Sequence, residues 1–355
     1  MNREYLSDAI GGIDDRFVAE AFHYDPEAAA GPSERNGHMR PKRFVSLLLA
    51  AALILSLGLV AYAVGSVHLA RQQELRQDLK IEENKTDSYV EYPLPTEEQR
   101  QELVLLSAVN DGQEQRVYVN ISPVTEEELA GFASAETRFF WSIEGTDVGG
   151  FAAPSMPSDL TLSGDREIRE AILQYAYDGQ TQTVTLECWL FVNTVEEAME
   201  KLGTDEVPLL VGMTVGEETK SFGPIPFRLT EEEMRSFDFG HAVYHDTEYD
   251  KDIEIVGLEL TPFSAIWKVH YEGDAALHAP GADLQDAQDW LLLEDKVCQD
   301  TQLVFSDGST FSTGGALTTP YENGMVNQYC GWARAIDIHD VQKIVLNDLV
   351  LWEAE

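Results

Sequence analysis

The sequence predicts a mainly β ectodomain of two antiparallel β-sandwich-like domains, carried on a single transmembrane helix behind a short helical N-terminal tail. Three features of the chain point there. Residues 44–67, FVSLLLAAALILSLGLVAYAVGSV, run for 24 positions without a charge. Beyond them, short runs of β-branched and aromatic residues recur at intervals of roughly 10 residues between Gly, Asn and Asp turn signals. Before them, residues 6–22 carry one apolar stripe at helical spacing.

Length and charge bound the function. A chain of 355 residues with 44% hydrophobic content can build two or three packed domains. It carries 24 Lys and Arg against 63 Asp and Glu, a formal net charge of −39. Such a chain repels nucleic acid, and no basic stripe with interleaved aromatics relieves that, so nucleic acid is not expected as a partner. The charge is read chiefly as solubility.

In the tail, Leu6, Ile10, Ile13 and Phe17 fall within an arc of about 60° on a helical projection, with Ala21 at its edge. Asp8, Asp14, Asp15 and Arg16 lie off the stripe. Gly11 and Gly12 each cost about 1 kcal/mol of helix relative to Ala, and so short a piece barely nucleates alone. The stripe therefore needs a surface: the inner leaflet, a second copy, or a groove on a cytosolic protein. A membrane-surface helix favours Lys and Arg on its polar face, whereas this one has mostly acids, so Leu6, Ile10, Ile13 and Phe17 are read as protein-binding residues. The alternative is an idle tail. A polar tether completes residues 1–43.

Residues 44–67 are long enough at about 1.5 Å per residue to cross a hydrocarbon core of about 30 Å. The small residues of AYA at 61–63 raise a signal peptide as the alternative, but the preceding 43 residues hold eight carboxylates, unlike a short basic leader. Arg35, Arg40, Lys42 and Arg43 crowd the N-terminal flank, while Arg71, Arg76, Lys80 and Lys85 follow more diffusely. The nearest flank places the N-terminus in the cytosol and the remaining 288 residues outside a plasma membrane. Cys188, Cys298 and Cys330 all follow the span. An odd count permits at most one disulfide, with Cys298–Cys330 the expected pair, and no Cys-x-x-Cys spacing indicates zinc.

Residues 68–90 read as a polar helical stalk, 91–237 as a first β domain and 238–355 as a second. ELVLLSAV, QRVYVNI, TRFFWSIE, TVTLECWLFV and VPLLVGMTV supply strands of the first. SPVTEEELAGF and NTVEEAMEKLG read as helical turns with a Thr three residues before a Glu, the capping-box order, and LTEEEMRSF at 229–237 as a third. In the second domain, DIEIVGLELTPFSAIWKVHYEG gives two strands with a Thr-Pro kink. QDWLLLEDKV, TQLVFSDGSTFST, NQYCGWARAIDI and QKIVLNDLVLWE follow as further strands.

HAVYHDTEYDKD, residues 241–252, is the densest polar constellation. His241 and His245 would share a helix face, but in a strand they stand about 13 Å apart. Asp246, Glu248, Asp250 and Asp252 alternate as in a calcium loop, yet Lys251 occupies the position that needs glycine. The segment is read as a solvated acidic linker between domains. Asp283, Asp286 and Asp289 are read as a wet helix face. No nucleophile elbow or phosphate loop is present, so no enzyme, catalytic residue, cofactor or metal is assigned. Most tryptophans are expected in the core; an exposed row would point to glycan binding.

SDAIGGIDDRFVAEA, the tether, RPKRFVSLLLAAALILSLGLVAYAVG and the long β-rich remainder resemble membrane-anchored bacterial anti-sigma-factor-like proteins with an uncharacterised immunoglobulin-like extracytoplasmic domain. AIDIHDVQKIVLNDLVLW resembles their closing strand segment, and VGLELTPFSAIWKVHYEG the opening strand pair of their C-terminal domain. The resemblance covers the layout and about a quarter of the residues closely. It implies a tail that holds a sigma factor and an outer domain that senses a signal. The tail lacks the His-x-x-x-Cys-x-x-Cys motif of zinc-bearing anti-sigma factors, so partner binding would rest on the helical stripe. The alternative expectation is an envelope protein whose ectodomain binds a wall glycan or another protein.

Overall fold

A computed structural model describes residues 65–84, 86–94, 102–133, 136–157, 160–270, 292–293, 295–314, 317–318 and 326–354. All lie within the compact unit 58–355. Leu6, Ile10, Ile13 and Phe17, residues 44–64 of the expected span, and Asp283, Asp286 and Asp289 lie outside the described residues. No helix among the described residues is long and apolar enough to cross a membrane.

The protein is mainly β, with antiparallel sheets throughout. A helix over residues 65–78, α1, is followed by the short α2 (Ile81–Asn84) and β1 (Tyr89–Glu91). The first lobe is one sheet in the order β1-β2-β3-β7-β5-β4-β8-β9, with the two-residue β6 (Tyr177–Asp178) on β7. Its main strands are β2 (Leu103–Asn110), β3 (Glu114–Ile121), β4 (Thr137–Ile143), β5 (Gly149–Pro154), β7 (Thr183–Phe191), β8 (Val207–Val215) and β9 (Glu218–Phe227). The sheet curls so that Gly223 of β9 comes against Leu103 of β2, where an added Cβ would stand 2.9 Å from the leucine side chain. The enclosed core includes Val117, Val119, Phe139, Trp141, Leu186 and Met213.

Strands β2 and β3 are buried on both faces. In β2 the register slips between Leu105 and Ser107, leaving Leu106 as an extra residue. Leu103, Leu105 and Ala108 then face the lobe's own core, while Leu106 and Val109 join a separate cluster with Leu75, Leu79, Tyr118, Phe263 and Ala335. That bulge gives one strand two apolar faces, and the outer face receives α1 and the second lobe.

The second lobe is a sandwich. A five-stranded sheet in the order β10-β11-β12-β16-β15, with β15 at Leu317–Thr318, faces a four-stranded sheet, β14-β13-β17-β18, with β14 at Thr310–Ser312. Strands β10 (Arg235–Asp246), β11 (Lys251–Leu260), β12 (Ser264–His270) and β16 (Val326–Gly331) oppose β13 (Thr301–Phe305), β17 (Val341–Leu346) and β18 (Leu349–Glu353). Their inner faces bury Ile253, Leu258, Trp267, Leu303, Ile344 and Leu351 in one core.

Several expectations need correction. SPVTEEELAGF does form α3 (Glu126–Ala130), with the Thr125–Glu128 capping box in place. In contrast, α5 (Val192–Leu202) starts before Thr194, and its N-cap, Phe191, makes no side-chain cap. LTEEEMRSF is no helical turn: residues 228–234 form neither helix nor strand, and Thr230 and Glu233 bond residues of the first lobe instead. The described part of QDWLLLEDKV is helical, since Leu293, Val297 and Cys298 need one helix face to reach the core together. HAVYHDTEYDKD is a β-hairpin of β10 and β11 rather than a linker. All three cysteines are buried thiols, and Cys298 donates to Gln328 Oε1 at 3.1 Å instead of pairing with Cys330.

Helix α4 (Asp165–Ala171), extended by a π-helical turn over Ile172–Ala176, is not among the expected elements. Ile168, Ala171, Ile172 and Tyr175 repeat at helical spacing and carry the missed signal.

Candidate functional site: the junction of helix and lobes

The residues expected as a stalk pack into the junction between the lobes. On α1 residues 65, 68, 72 and 75 are buried, one stripe of a helix, and Leu79 in the turn that ends it continues the line. Leu75 and Leu79 join the cluster shared by both lobes, and each contributes about 1.5–3 kcal/mol by leaving water. Gln72 donates from Nε2 to the carbonyls of Tyr92 and Leu106, both at 2.8 Å. His68 lies against Tyr92 O at 3.3 Å, and burial lowers its pKa.

At its far end the helix reaches the second lobe. Ala335 N donates to Leu79 O at 2.8 Å, and Asn84 Nδ2 donates to Ala335 O, also at 2.8 Å. The connector closes the other side. Glu233 Oε2 accepts from Thr86 Oγ1 and Asp87 N at 3.0 Å, and its Oε1 pairs with His339 Nε2 at 2.8 Å.

The β2–β3 turn enters the junction from the first lobe. Gly112 takes φ +87° there, a conformation that favours glycine, and its Cα faces the Glu232 side chain, whose Oε2 would stand 2.7 Å from an added Cβ. Asp111 Oδ1 accepts the N–H groups of Gln113 at 3.1 Å and Glu114 at 2.7 Å, while Oδ2 accepts the Tyr329 hydroxyl at 2.6 Å. Ser264 Oγ donates to Asp111 O at 2.7 Å. Across the strand end, Gln115 and Thr230 exchange two hydrogen bonds, at 3.0 and 3.1 Å.

Beside this turn a cleft of about 330 Å³ opens between the lobes, with Trp189 and Trp332 among its walls and Asp111, Glu114, Arg116 and Tyr329 as polar lining. Arg116 is buried, donates from Nη2 to Trp332 O at 3.3 Å and covers the Phe263 ring at 5.1 Å. Burial disfavours its charge, but Tyr118, Glu187 and Asp111 outweigh that and raise its pKa. Desolvation, aided by the Asp111 charge, pushes Glu114 up to about 7. Glu187, which accepts from the Tyr118 hydroxyl at 3.3 Å, is raised by burial too. A second cavity, of about 450 Å³, borders α1, with Arg71, Asp78, Met156, Tyr175, Thr185 and Arg334 among its lining.

The histidines of the acidic hairpin sit elsewhere. His241 and His245 each pair with a carboxylate of the neighbouring strand, Glu254 and Asp252, at 2.8 Å. Asp246 accepts the N–H groups of Glu248 and Tyr249 and pairs with Lys296 Nζ at 2.7 Å, so an ammonium lies where a calcium loop would hold its ion. No cluster of His, Cys, Asp and Glu among the described residues could hold a metal ion. Trp141 and Trp267 are core residues, whereas Trp189 and Trp332 line the cleft.

No family model matches the chain, and no curated protein does. Among solved structures, one described as the conserved domain protein from Bacillus anthracis aligns at TM-score 0.34 and 9% identity, over 74% of this chain and 78% of that one. Residues 217–571 of S. aureus TarS align at TM-score 0.18 and 7% identity, over 71% of this chain and 61% of that one. Likeness this slight carries no inference about fold or activity.

Proposed function

We propose that the chain is a single-pass membrane regulator of the anti-sigma-factor type, in which an extracytoplasmic β ectodomain controls a cytosolic partner held by Leu6, Ile10, Ile13 and Phe17. One observation supports this reading above others: the helix that follows the apolar run is gripped by both lobes. Leu75 packs with Phe263 and Ala335 of the second lobe, Leu79 at the helix end and Asn84 of α2 bond that lobe, and Gln72 bonds the first. A change in how the lobes meet must move or release α1, and α1 leads back toward the membrane. A bystander anchor needs no such grip. The chain acts by binding, with no catalytic residue and no cofactor.

The test is co-purification. The full chain, expressed in a bacterial membrane and extracted in detergent, should bring down a sigma factor. Ile10→Glu should lose it while membrane insertion is retained. An Ile10→Glu complex as strong as wild type would refute the stripe.

A second reading, an envelope protein whose ectodomain does the work, is favoured by the cleft between Trp189 and Trp332. It predicts normal function after removal of residues 1–23, where the regulator predicts its loss.

A further inference from the structure

The outer face of the first lobe carries an aromatic strip that the core does not need. Phe140 on β4 stands in register with Phe151 on β5, and on its other side with Gly212 on β8. A Cβ on Gly212 would lie 2.2 Å from Phe140 Cζ, so the ring covers the glycine and lies along the sheet surface. Phe151 stacks on Trp189 of β7, with centroids 5.6 Å apart and planes within 9°. Trp189 in turn is the register partner of Arg116 and a wall of the interlobe cleft. Phe191, two residues along the same face, is 60% exposed, and Phe151 is 57% exposed.

We propose that this strip, from Phe140 across Phe151 and Trp189 into the cleft beneath Trp332, binds an extended, uncharged polysaccharide. Three physical points select that occupant. The near-coplanar rings of Phe151 and Trp189 offer a flat apolar platform that matches the C–H face of a pyranose, whereas an apolar peptide side chain favours a pocket over a plane. The rings on β5 and β7 stand 5.6 Å apart, comparable with successive sugars of an extended chain, and Phe140 continues the row on the neighbouring strand β4. Where the strip ends, the lining turns polar: Arg116 offers N–H donors and Glu114 a carboxylate at the edge where hydroxyl groups would project. The cleft's volume of about 330 Å³ accommodates a terminal sugar.

Charge removes the main competitors. A chain at −39 repels phosphate-bearing and uronic-acid polymers, and the two cations on the strip's face, Arg138 of β4 and Arg116 of β3, are far outnumbered by that charge. A cationic peptide would be drawn to the acids without using the rings. The inference adds a ligand class and a site to the envelope-binding reading, and it stands whether or not the tail holds a sigma factor.

The test uses the full chain in detergent micelles and the soluble probes chitohexaose and cellohexaose, followed by tryptophan emission and calorimetry. At least one should bind and perturb the emission of Trp189. Phe151→Ala, at an exposed position that leaves the core intact, should weaken binding at least tenfold with unchanged circular dichroism. Trp189→Ala should weaken it further. Binding of neither oligosaccharide at millimolar concentration would overturn the inference. So would undiminished binding by Phe151→Ala, or binding confined to poly(glycerol phosphate) or polylysine. Phe151→Ala should leave tail-dependent co-purification intact, and Ile10→Glu should leave oligosaccharide binding intact, so the two proposals fail separately.

Discussion

Tyr329 of the second lobe donates its hydroxyl to Asp111 of the first at 2.6 Å, and the same carboxylate caps the β2–β3 turn through Gln113 and Glu114. One acid thus shapes a local turn and joins two lobes. Tyr329→Phe removes the donor and leaves a buried carboxylate oxygen unmatched, at a cost of about 1–3 kcal/mol. Urea denaturation of the purified chain should show a lower midpoint. Because the lesion lies between lobes, hydrogen exchange should rise at residues 110–115 before it rises in either core.

Leu79 is 2% exposed in the cluster that α1 shares with both lobes. Leu79→Ala opens a cavity there, and large-to-small core changes of this kind cost about 2–5 kcal/mol. The loss should fall on the docking of α1: exchange protection at residues 65–84 should collapse while β7 and β12 remain protected. Uniform loss across the molecule would mean that the helix is an inseparable part of the cores, and the coupling role proposed for it would fail.

The three thiols give a chemical check on the corrected cysteine pairing. Cys188, Cys298 and Cys330 are each 0% exposed, and burial raises the Cys188 pKa far above the usual thiol value. An aromatic disulfide reagent should titrate none of them in the native protein and all three in denaturant. Adding a reductant should leave the thermal midpoint unchanged; a drop would reveal the Cys298–Cys330 bond that the structure lacks.

Where one side of an element faces water and the other a core, its residues declare it. The alternation in TRFFWSIE is visible as Phe139 and Trp141 inward, and the Thr-Pro kink falls between β11 and β12 as read. Legibility fails where packing is two-sided or polar. The buried stripe of α1 contains His68 and Gln72, so it reads as a wet stalk although Gln72 is satisfied by two carbonyls. The acids of LTEEEMRSF mimic a capped helix, but Glu233 among them serves bonds to residues nearly 150 positions earlier. The aromatic strip was hidden for a related reason: Phe140, Phe151 and Trp189 lie in separate strands, and only the pairing of β4 with β5 and β5 with β7 brings them together.

Glu114 makes the junction sensitive to pH. Its pKa is pushed up to about 7, first by desolvation and then by the Asp111 charge, against an ordinary value near 4.5 in the unfolded chain. Between those values the folded state binds the extra proton, so its contribution is fully present below about pH 4.5 and is lost as pH rises through about 7. Glu114→Gln removes the ionisation. With allowance for solvent reaching this partly exposed group, the variant should exceed wild type by about 1 kcal/mol, or roughly 2 °C in thermal midpoint, at pH 8. The two should converge near pH 4.5. His68 acts in the opposite sense, since its lowered pKa makes the unfolded chain take up a proton first as pH falls below about 6.5. The wild-type curve mixes the two, and the variant-minus-wild-type difference isolates Glu114. A difference that is flat with pH would show that the carboxylate is solvated and that the β2–β3 turn does not desolvate it.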